Sequence, residues 1–165
     1  MQPNSYLVRG PISGRAGFEE DSRVLQEVKT AVDPEQTLVF VVIIDDNLPS
    51  LEFLSAALSQ PGVQILTASK PEDGLNLIAL YRPQIVMTDM IMPGMTGLQV
   101  LEYVKELDPA IEVIVMSARD SGGSPAKSLQ QGADDYLQKP IALSVLRQRV
   151  GARIQKHVAE RLKPQ

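Results

Sequence analysis

From residue 37 onward, short apolar runs alternate with segments in which apolar residues recur every three or four positions. Continuous β-branched runs are typical of parallel strands that are covered on both faces, and the second spacing is typical of helices packed on such a sheet. Proline and glycine mark most of the boundaries. The pattern predicts strands at 38–44, 63–68, 84–89, 111–116 and 136–138, and helices at about 49–60, 71–81, 96–107, 126–131 and from 142 onward.

Five strands separated by helices predict an α/β fold, a (βα)5 unit of the doubly wound class with helices on both faces of a parallel sheet. This domain is predicted to span residues 37–155. Residues 1–36 contain several prolines and glycines and are predicted to form a flexible arm, with a short helix from Phe18 to Val32. Residues 156–165 are predicted to extend the last helix.

The amino-acid composition excludes several kinds of catalytic and metal site. The 165 residues include no cysteine and one histidine, His157, so thiol catalysis, zinc–thiolate sites and Ser-His-Asp chemistry are excluded. No apolar run approaches the length of a membrane span, and no secretory signal is visible, so we expect a cytoplasmic protein without a membrane partner. The net charge of −4, with most of the basic excess in the C-terminal tail, argues against direct nucleic-acid binding.

Polar side chains follow the predicted strands where each strand ends. Asp45 and Asp46 follow the first strand, Asp89 ends the third, Ser117 follows the fourth and Lys139 follows the fifth. The carboxyl ends of parallel strands share one edge of a doubly wound sheet, so these groups should converge. Three close carboxylates repel one another unless a cation neutralises them, and an all-oxygen cluster suits Mg²⁺ with a phosphoryl group beside it. Taken singly, each residue could instead begin a loop or cap a helix.

The spacing of these residues closely resembles that of the receiver domain of two-component response regulators. The resemblance covers residues 37 to about 155. Its motifs are Asp45-Asp46, Asp89 with Met92-Pro93-Gly94, Ser117-Ala118, Gly132-Ala-Asp-Asp-Tyr136 and Lys139-Pro140. The resemblance implies a flavodoxin-like, five-stranded parallel sheet in the order 2-1-3-4-5.

The resemblance also implies the metal ligands. Asp89 would be the phosphoacceptor and would contact Mg²⁺. Asp46 would bind the metal directly, Asp45 would act partly through water, and the backbone carbonyl of Ile91 would be a further ligand.

Three other residues have implied roles around the phosphoryl group. Ser117 would donate a hydrogen bond to it, and Lys139 would pair with it. The Lys139–Pro140 peptide is expected to be cis, which shapes the loop. Tyr136 would turn inward as Ser117 moves, so Ser117 and Tyr136 form the implied switch.

The implied function is signalling rather than turnover of external substrates. A histidine kinase or phosphotransfer protein would phosphorylate Asp89, and the change would reach a partner or output domain through the face made by the fourth helix, fifth strand and fifth helix. That face, or the extended last helix, could also form a homodimer. Two alternatives are a degenerate receiver that acts as an interaction scaffold and a Mg²⁺-dependent phosphohydrolase. The hydrolase would require a second aspartate at the position of Ile91.

Three features depart from the common receiver pattern. The glycines and Pro125 after Arg119 predict a short fourth helix and a mobile loop before it. Ile91 and Arg119, each two residues after a site residue, are hypothesised to screen the attacking water and prolong the phosphorylated state. An apolar stripe along the last helix continues to Val158, so its end is predicted either to contact a partner or to fray.

Overall fold

The computed structural model describes residues 5–8, 39–118 and 125–164. The strands are β1 (Ser5–Val8), β2 (Val39–Ile44), β3 (Val63–Ala68), β4 (Ile85–Asp89), β5 (Glu112–Ala118) and β6 (Asp135–Lys139). The helices are α1 (Leu48–Leu58), α2 (Pro71–Tyr81), α3 (Gly97–Leu107), α4 (Pro125–Gln130), α5 (Leu143–Leu146) and α6 (Ala152–Arg161), and a π-helical turn (Arg147–Gly151) joins α5 to α6. None of these described helices is long and apolar enough to cross a lipid bilayer.

The strands form one parallel sheet in the order β1-β3-β2-β4-β5-β6. The five predicted strands are β2 to β6, and their predicted order 2-1-3-4-5 is confirmed. β2 lies between β3 and β4, and most of its residues are buried, as its continuous apolar run predicts. Every strand therefore presents its carboxyl end to the same edge of the sheet.

β1 was not among the predicted strands. It pairs in parallel with β3, from Ser5 opposite Ile65 to Val8 opposite Ala68, and so adds an edge strand to the sheet. Four residues within a region assigned to a flexible arm are too few for a periodic pattern to reveal. The predicted helix from Phe18 to Val32 lies outside the described residues, and the division of the chain into arm, domain and tail stays a prediction.

Two apolar layers cover the sheet. On one face, β2 directs Val41 and Ile43 toward α1 and the last helix; on the other, it directs Val42 and Ile44 toward α2 and α3. This division follows from the strand's two-residue alternation. The helices direct apolar side chains toward the sheet: Leu54 of α1 and Leu101 of α3 are buried and lie on the apolar faces of their helices. The two layers hold the sheet rigid beneath its loop-bearing edge.

The last helix packs along most of its length. Leu146, Val150 and Ile154 are fully buried at four-residue intervals across the π-helical turn, and Val158 packs partly against the same core. The prediction that the start of the stripe belongs to the core is confirmed. Near the far end, the apolar side chain of Leu162 is 65% exposed.

The fourth helix, α4, has six residues and begins at Pro125, so it is as short as the sequence predicts. Most of the loop predicted to be mobile, between the fourth predicted strand and the fourth predicted helix, lies outside the described residues, as does Arg119.

Gly97, the first residue of α3, lies close to the backbone at the end of β4. A Cβ there would lie 2.4 Å from the backbone oxygen of Asp89 and 3.0 Å from Cα of Met90. Because backbone cannot move aside as a side chain can, we expect Gly97→Ala to lower the free energy of unfolding by about 1–3 kcal/mol. Urea denaturation would measure it.

Gly151→Ala is the matched control, because an added Cβ would meet only Cβ of Arg147, at 4.0 Å. In a helical position this substitution should be neutral or stabilise by up to about 1 kcal/mol. Equal effects of the two substitutions would contradict the close contact at Gly97.

Candidate phosphoryl and metal site

The predicted acidic residues converge at the carboxyl edge of the sheet. Asp45 and Asp46 follow β2 directly, and Asp89 is the last residue of β4. One carboxylate oxygen from each lies within 4.8 Å of the others. β2 and β4 are hydrogen-bonded neighbours, so their ends place these groups side by side.

Asp45 is fully buried and bonded through both carboxylate oxygens. Its Oδ1 accepts from the backbone N–H of Asn47 at 2.9 Å. Its Oδ2 accepts from Oγ of Ser50 at 2.7 Å and from Nζ of Lys139 at 2.5 Å. A buried carboxylate that water cannot reach is costly without such partners, and here three donors stabilise it.

Lys139 joins two of the acids. As the last residue of β6, it extends its ammonium group to Asp45 and also to Oδ1 of Asp89, at 3.4 Å. The expected cis peptide between Lys139 and Pro140 is present. The sequence predicted a lysine directed toward a phosphoryl group beside Asp89; it did not predict the shorter ion pair with Asp45.

The carboxylate of Asp89 is partly exposed, with 14% of its side-chain surface accessible. The backbone N–H of Met90 donates to its Oδ1 at 3.0 Å. Burial raises the pKa of Asp89, the neighbouring ammonium of Lys139 opposes that rise, and the charge of Asp45 adds to it. The ionised form of Asp89 is therefore held at a free-energy cost.

Ser117 lies inside β5 rather than after it, because the strand extends two residues beyond its predicted end. The side chain is fully buried, and its Oγ donates to the carbonyl of Ala118 at 3.3 Å. Tyr136 is half-buried and packs against the core on the α2–α3 face. The assigned switch role of Ser117 and Tyr136 stays a prediction.

The loop after β4 is anchored by apolar side chains. Met90 and Met92 are buried, while the side chain of Ile91 between them is 55% exposed. The backbone N–H of Gly97 donates to the carbonyl of Met90 at 2.8 Å, which ties the loop to the start of α3. The assignment of the Ile91 carbonyl as a metal ligand stays a prediction.

The donor set fits a hard divalent cation. Among the described residues, the three clustered carboxylates and the ammonium of Lys139 carry an excess of negative charge, and carboxylate oxygens are ligands that Mg²⁺ prefers in proteins. Asp46 is exposed, so a metal bound there could retain water ligands. The acids border an open pocket of about 730 Å³ that is also lined by Phe53 and Ile141. The site can therefore hold a metal ion with a phosphoryl group beside it.

Asn47 and Ser50 belong to the site but are not predicted from the sequence. The sequence predicts only that a helix opens near Pro49 and Ser50; the structure begins α1 at Leu48 with Asn47 as its N-cap. An Asn two residues before a Pro is a recognisable helix start. That signal locates the helix, but it does not show which carboxylate the Ser50 hydroxyl reaches.

The raised pKa of Asp89 leads to a prediction about stability. A carboxylate whose folded-state pKa exceeds its unfolded value destabilises the fold at pH values where it is ionised, and this effect disappears as pH falls through the raised pKa. Asp89→Asn should therefore stabilise the metal-free protein at pH 7, within the range of about 0.5–2 kcal/mol that relief of unfavourable charge commonly gives. Urea titrations in EDTA from pH 7 to pH 4 would measure it.

Glu52→Gln is the control, since it removes one charge from an exposed position on α1. It should change stability far less at pH 7. A gain from Asp89→Asn that grows toward pH 4, or a loss at pH 7, would contradict the burial effect.

Comparison with known proteins agrees with this geometry. The family described as response regulator receiver domain matches residues 41–151. The chain is 36% identical over 114 residues to Response regulator MprA of Mycolicibacterium vanbaalenii, which covers 69% of this chain and 49% of the relative. It is 34% identical over 119 residues to Transcriptional regulatory protein HprR of Escherichia coli K12, covering 72% and 53% respectively. The chain thus spans about half the length of these curated relatives.

A solved structure shares the fold. The crystal structure of a response regulator receiver domain protein from Clostridium thermocellum superposes with a TM-score of 0.61 at 26% identity, covering 74% of this chain and 96% of that chain. The family match runs from within β2 to beyond β6 and includes all the acidic site residues. This chain therefore belongs to the response regulator receiver family of two-component signal transduction.

Proposed function

We propose that Asp89 accepts a phosphoryl group from a partner histidine kinase or phosphotransfer protein. The observation that carries this proposal is the position of the Lys139 ammonium, which bridges Asp45 and Asp89 beside the three-carboxylate cluster. A nucleophile, a cation and a metal-binding set within one pocket match the requirements of phosphoryl transfer.

In the proposed reaction, a carboxylate oxygen of Asp89 attacks the phosphorus of a phosphohistidine in line. The new O–P bond forms as the P–N bond breaks, and the leaving imidazole retains the bonding electron pair and takes up a proton. Partial exposure of Asp89 gives the phosphorus access, while the N–H of Met90 orients the attacking carboxylate. The product is an acyl phosphate on the domain, and the reaction does not turn over an external substrate.

Asp45, Asp46, Asp89 and the carbonyl of Ile91 would hold Mg²⁺, which supplies positive charge against the phosphoryl oxygens. Lys139 would then exchange its contact with the carboxylates for a phosphoryl oxygen, a change supported by its 3.4 Å separation from Asp89. Ser117 would donate its hydroxyl to another oxygen. This rearrangement of Ser117 would draw Tyr136 inward.

We propose that the switch changes partner affinity on the face made by α4, β6 and α5. Three apolar side chains are exposed on its helices, which supports a docking role: Leu129, Leu143 and Val145. The occupant could be an output protein, an output domain or a second copy of the chain, and the last helix offers another route to a homodimer. The proposed reaction would take place in the cytoplasm.

Acetyl phosphate with Mg²⁺, followed by intact mass, tests the phosphoacceptor. We expect one acid-labile phosphoryl group per chain, absent from Asp89→Asn and retained in Asp108→Asn, which changes an aspartate in the loop after α3. Sustained release of phosphate without a stoichiometric adduct would indicate a phosphohydrolase. No adduct under any condition would indicate an interaction scaffold.

The exposed Ile91 side chain leads to a prediction about the lifetime of the acyl phosphate. If it screens the site from the attacking water, Ile91→Asn should speed dephosphorylation roughly tenfold, equivalent to about 1.4 kcal/mol in activation free energy. Decay of the adduct after removal of acetyl phosphate would measure this. An exposed leucine on α2 provides the control, Leu80→Asn, which should leave the rate unchanged. An unchanged rate in Ile91→Asn would contradict the screening role.

A further inference from the structure

A serine in the first turn of α1 contacts the buried acid of the site. Ser50 Oγ donates to Oδ2 of Asp45 at 2.7 Å, and the same oxygen accepts from Nζ of Lys139 at 2.5 Å. Asp45 is fully buried, so water cannot readily replace a lost donor. Ser50 and Lys139 therefore share one buried carboxylate oxygen.

The backbone determines where the serine hydroxyl lies. Asn47 caps α1 by accepting from the N–H of Ser50 at 2.9 Å, and the N–H of Asn47 donates to Oδ1 of Asp45 at 2.9 Å. The carboxylate of Asp45 thus accepts hydrogen bonds from two residues of the turn that follows it, Asn47 and Ser50. Both oxygens of Asp45 are held by this turn before any contribution from Lys139.

The hydroxyl is not needed to cap the helix. The side chain of Asn47 provides the cap, and the backbone of Ser50, not its Oγ, is the donor to it. The hydrogen bond from the Ser50 hydroxyl is therefore directed at the acidic site alone. Its effect should appear in the properties of Asp45 rather than in the start of α1.

We propose that Ser50 is a positioning residue that keeps Asp45 oriented and hydrogen-bonded when Lys139 leaves it for the phosphoryl group. This inference rests on the proposed function, since it requires Lys139 to move. With Ser50 present, Oδ2 of Asp45 retains a donor after the lysine departs. Without Ser50, Lys139 is the only side-chain donor that the described contacts assign to Oδ2, so its release leaves a buried oxygen without that support.

Two consequences distinguish this role from a purely structural one. Mg²⁺ binding should weaken without Ser50, because residues that orient metal ligands typically contribute about 10–100-fold to affinity or activity. Phosphorylation of Asp89 at saturating Mg²⁺ should also slow, because Lys139 would be held more firmly by Asp45. Neither effect requires a change in the stability of the metal-free fold.

The test is a Mg²⁺ titration of the full chain followed by NMR chemical shifts. Ser50→Ala should raise the Mg²⁺ Kd about tenfold, whereas Ser50→Thr, which keeps the hydroxyl, should restore it. Ser55→Ala is the matched control: Ser55 is on the same helix, and its buried Oγ has no hydrogen-bond partner among the described residues. It should leave the Kd unchanged. If Ser50→Ala does not fold, Ser50→Cys repeats the test with similar volume and a weaker donor.

The outcomes distinguish failure of the proposed function from failure of the positioning role of Ser50. If the wild-type chain neither binds Mg²⁺ nor accepts a phosphoryl group, the proposed function fails. If the wild type does both and Ser50→Ala matches it in Kd and phosphorylation rate, only the positioning role fails. A weaker Kd and slower phosphorylation in Ser50→Ala, restored by Ser50→Thr, support the role.

Discussion

The site depends on the way a buried carboxylate, Asp45, shares one lysine with the more accessible Asp89. The parallel sheet forces this proximity, because β2, β4 and β6 all end at the same edge. Among the described residues, the ammonium of Lys139 pairs with two of the three clustered acids, so these groups together carry a negative excess. Such an excess favours the binding of a divalent cation.

The acidic site lies on a packed sheet and next to a closely packed helix start. The two apolar layers hold the strands, and the start of α3 contacts the backbone of Asp89 and Met90 closely at Gly97. The carboxylate of Asp89 is not in its most favourable electrostatic surroundings, since burial raises its pKa. A raised pKa beside a specific charged partner is common among functional residues.

The last helix is joined to the sheet by charge as well as by apolar packing. Arg153 pairs with Glu112 at the start of β5, and Nε2 of His157 lies 2.7 Å from Oε1 of the same glutamate. The guanidinium of Arg153 also contacts the backbone carbonyl of Asp134 and the carboxylate of Asp135, at the start of β6. The partner contact predicted for the far end of this helix stays a prediction.

The sequence by itself determined the alternation of strands and helices, the edge at which Asp45, Asp46, Asp89 and Lys139 meet, and the family, because local periodicity and spacing encode these features. Tertiary structure decided which donors each carboxylate takes. The bond from Ser50 to Asp45 and the preference of Lys139 for Asp45 depend on side-chain directions across separate elements, which spacing along the chain does not specify. The edge strand β1 depends on the same kind of information, since four residues become a strand only where β3 offers unpaired backbone groups.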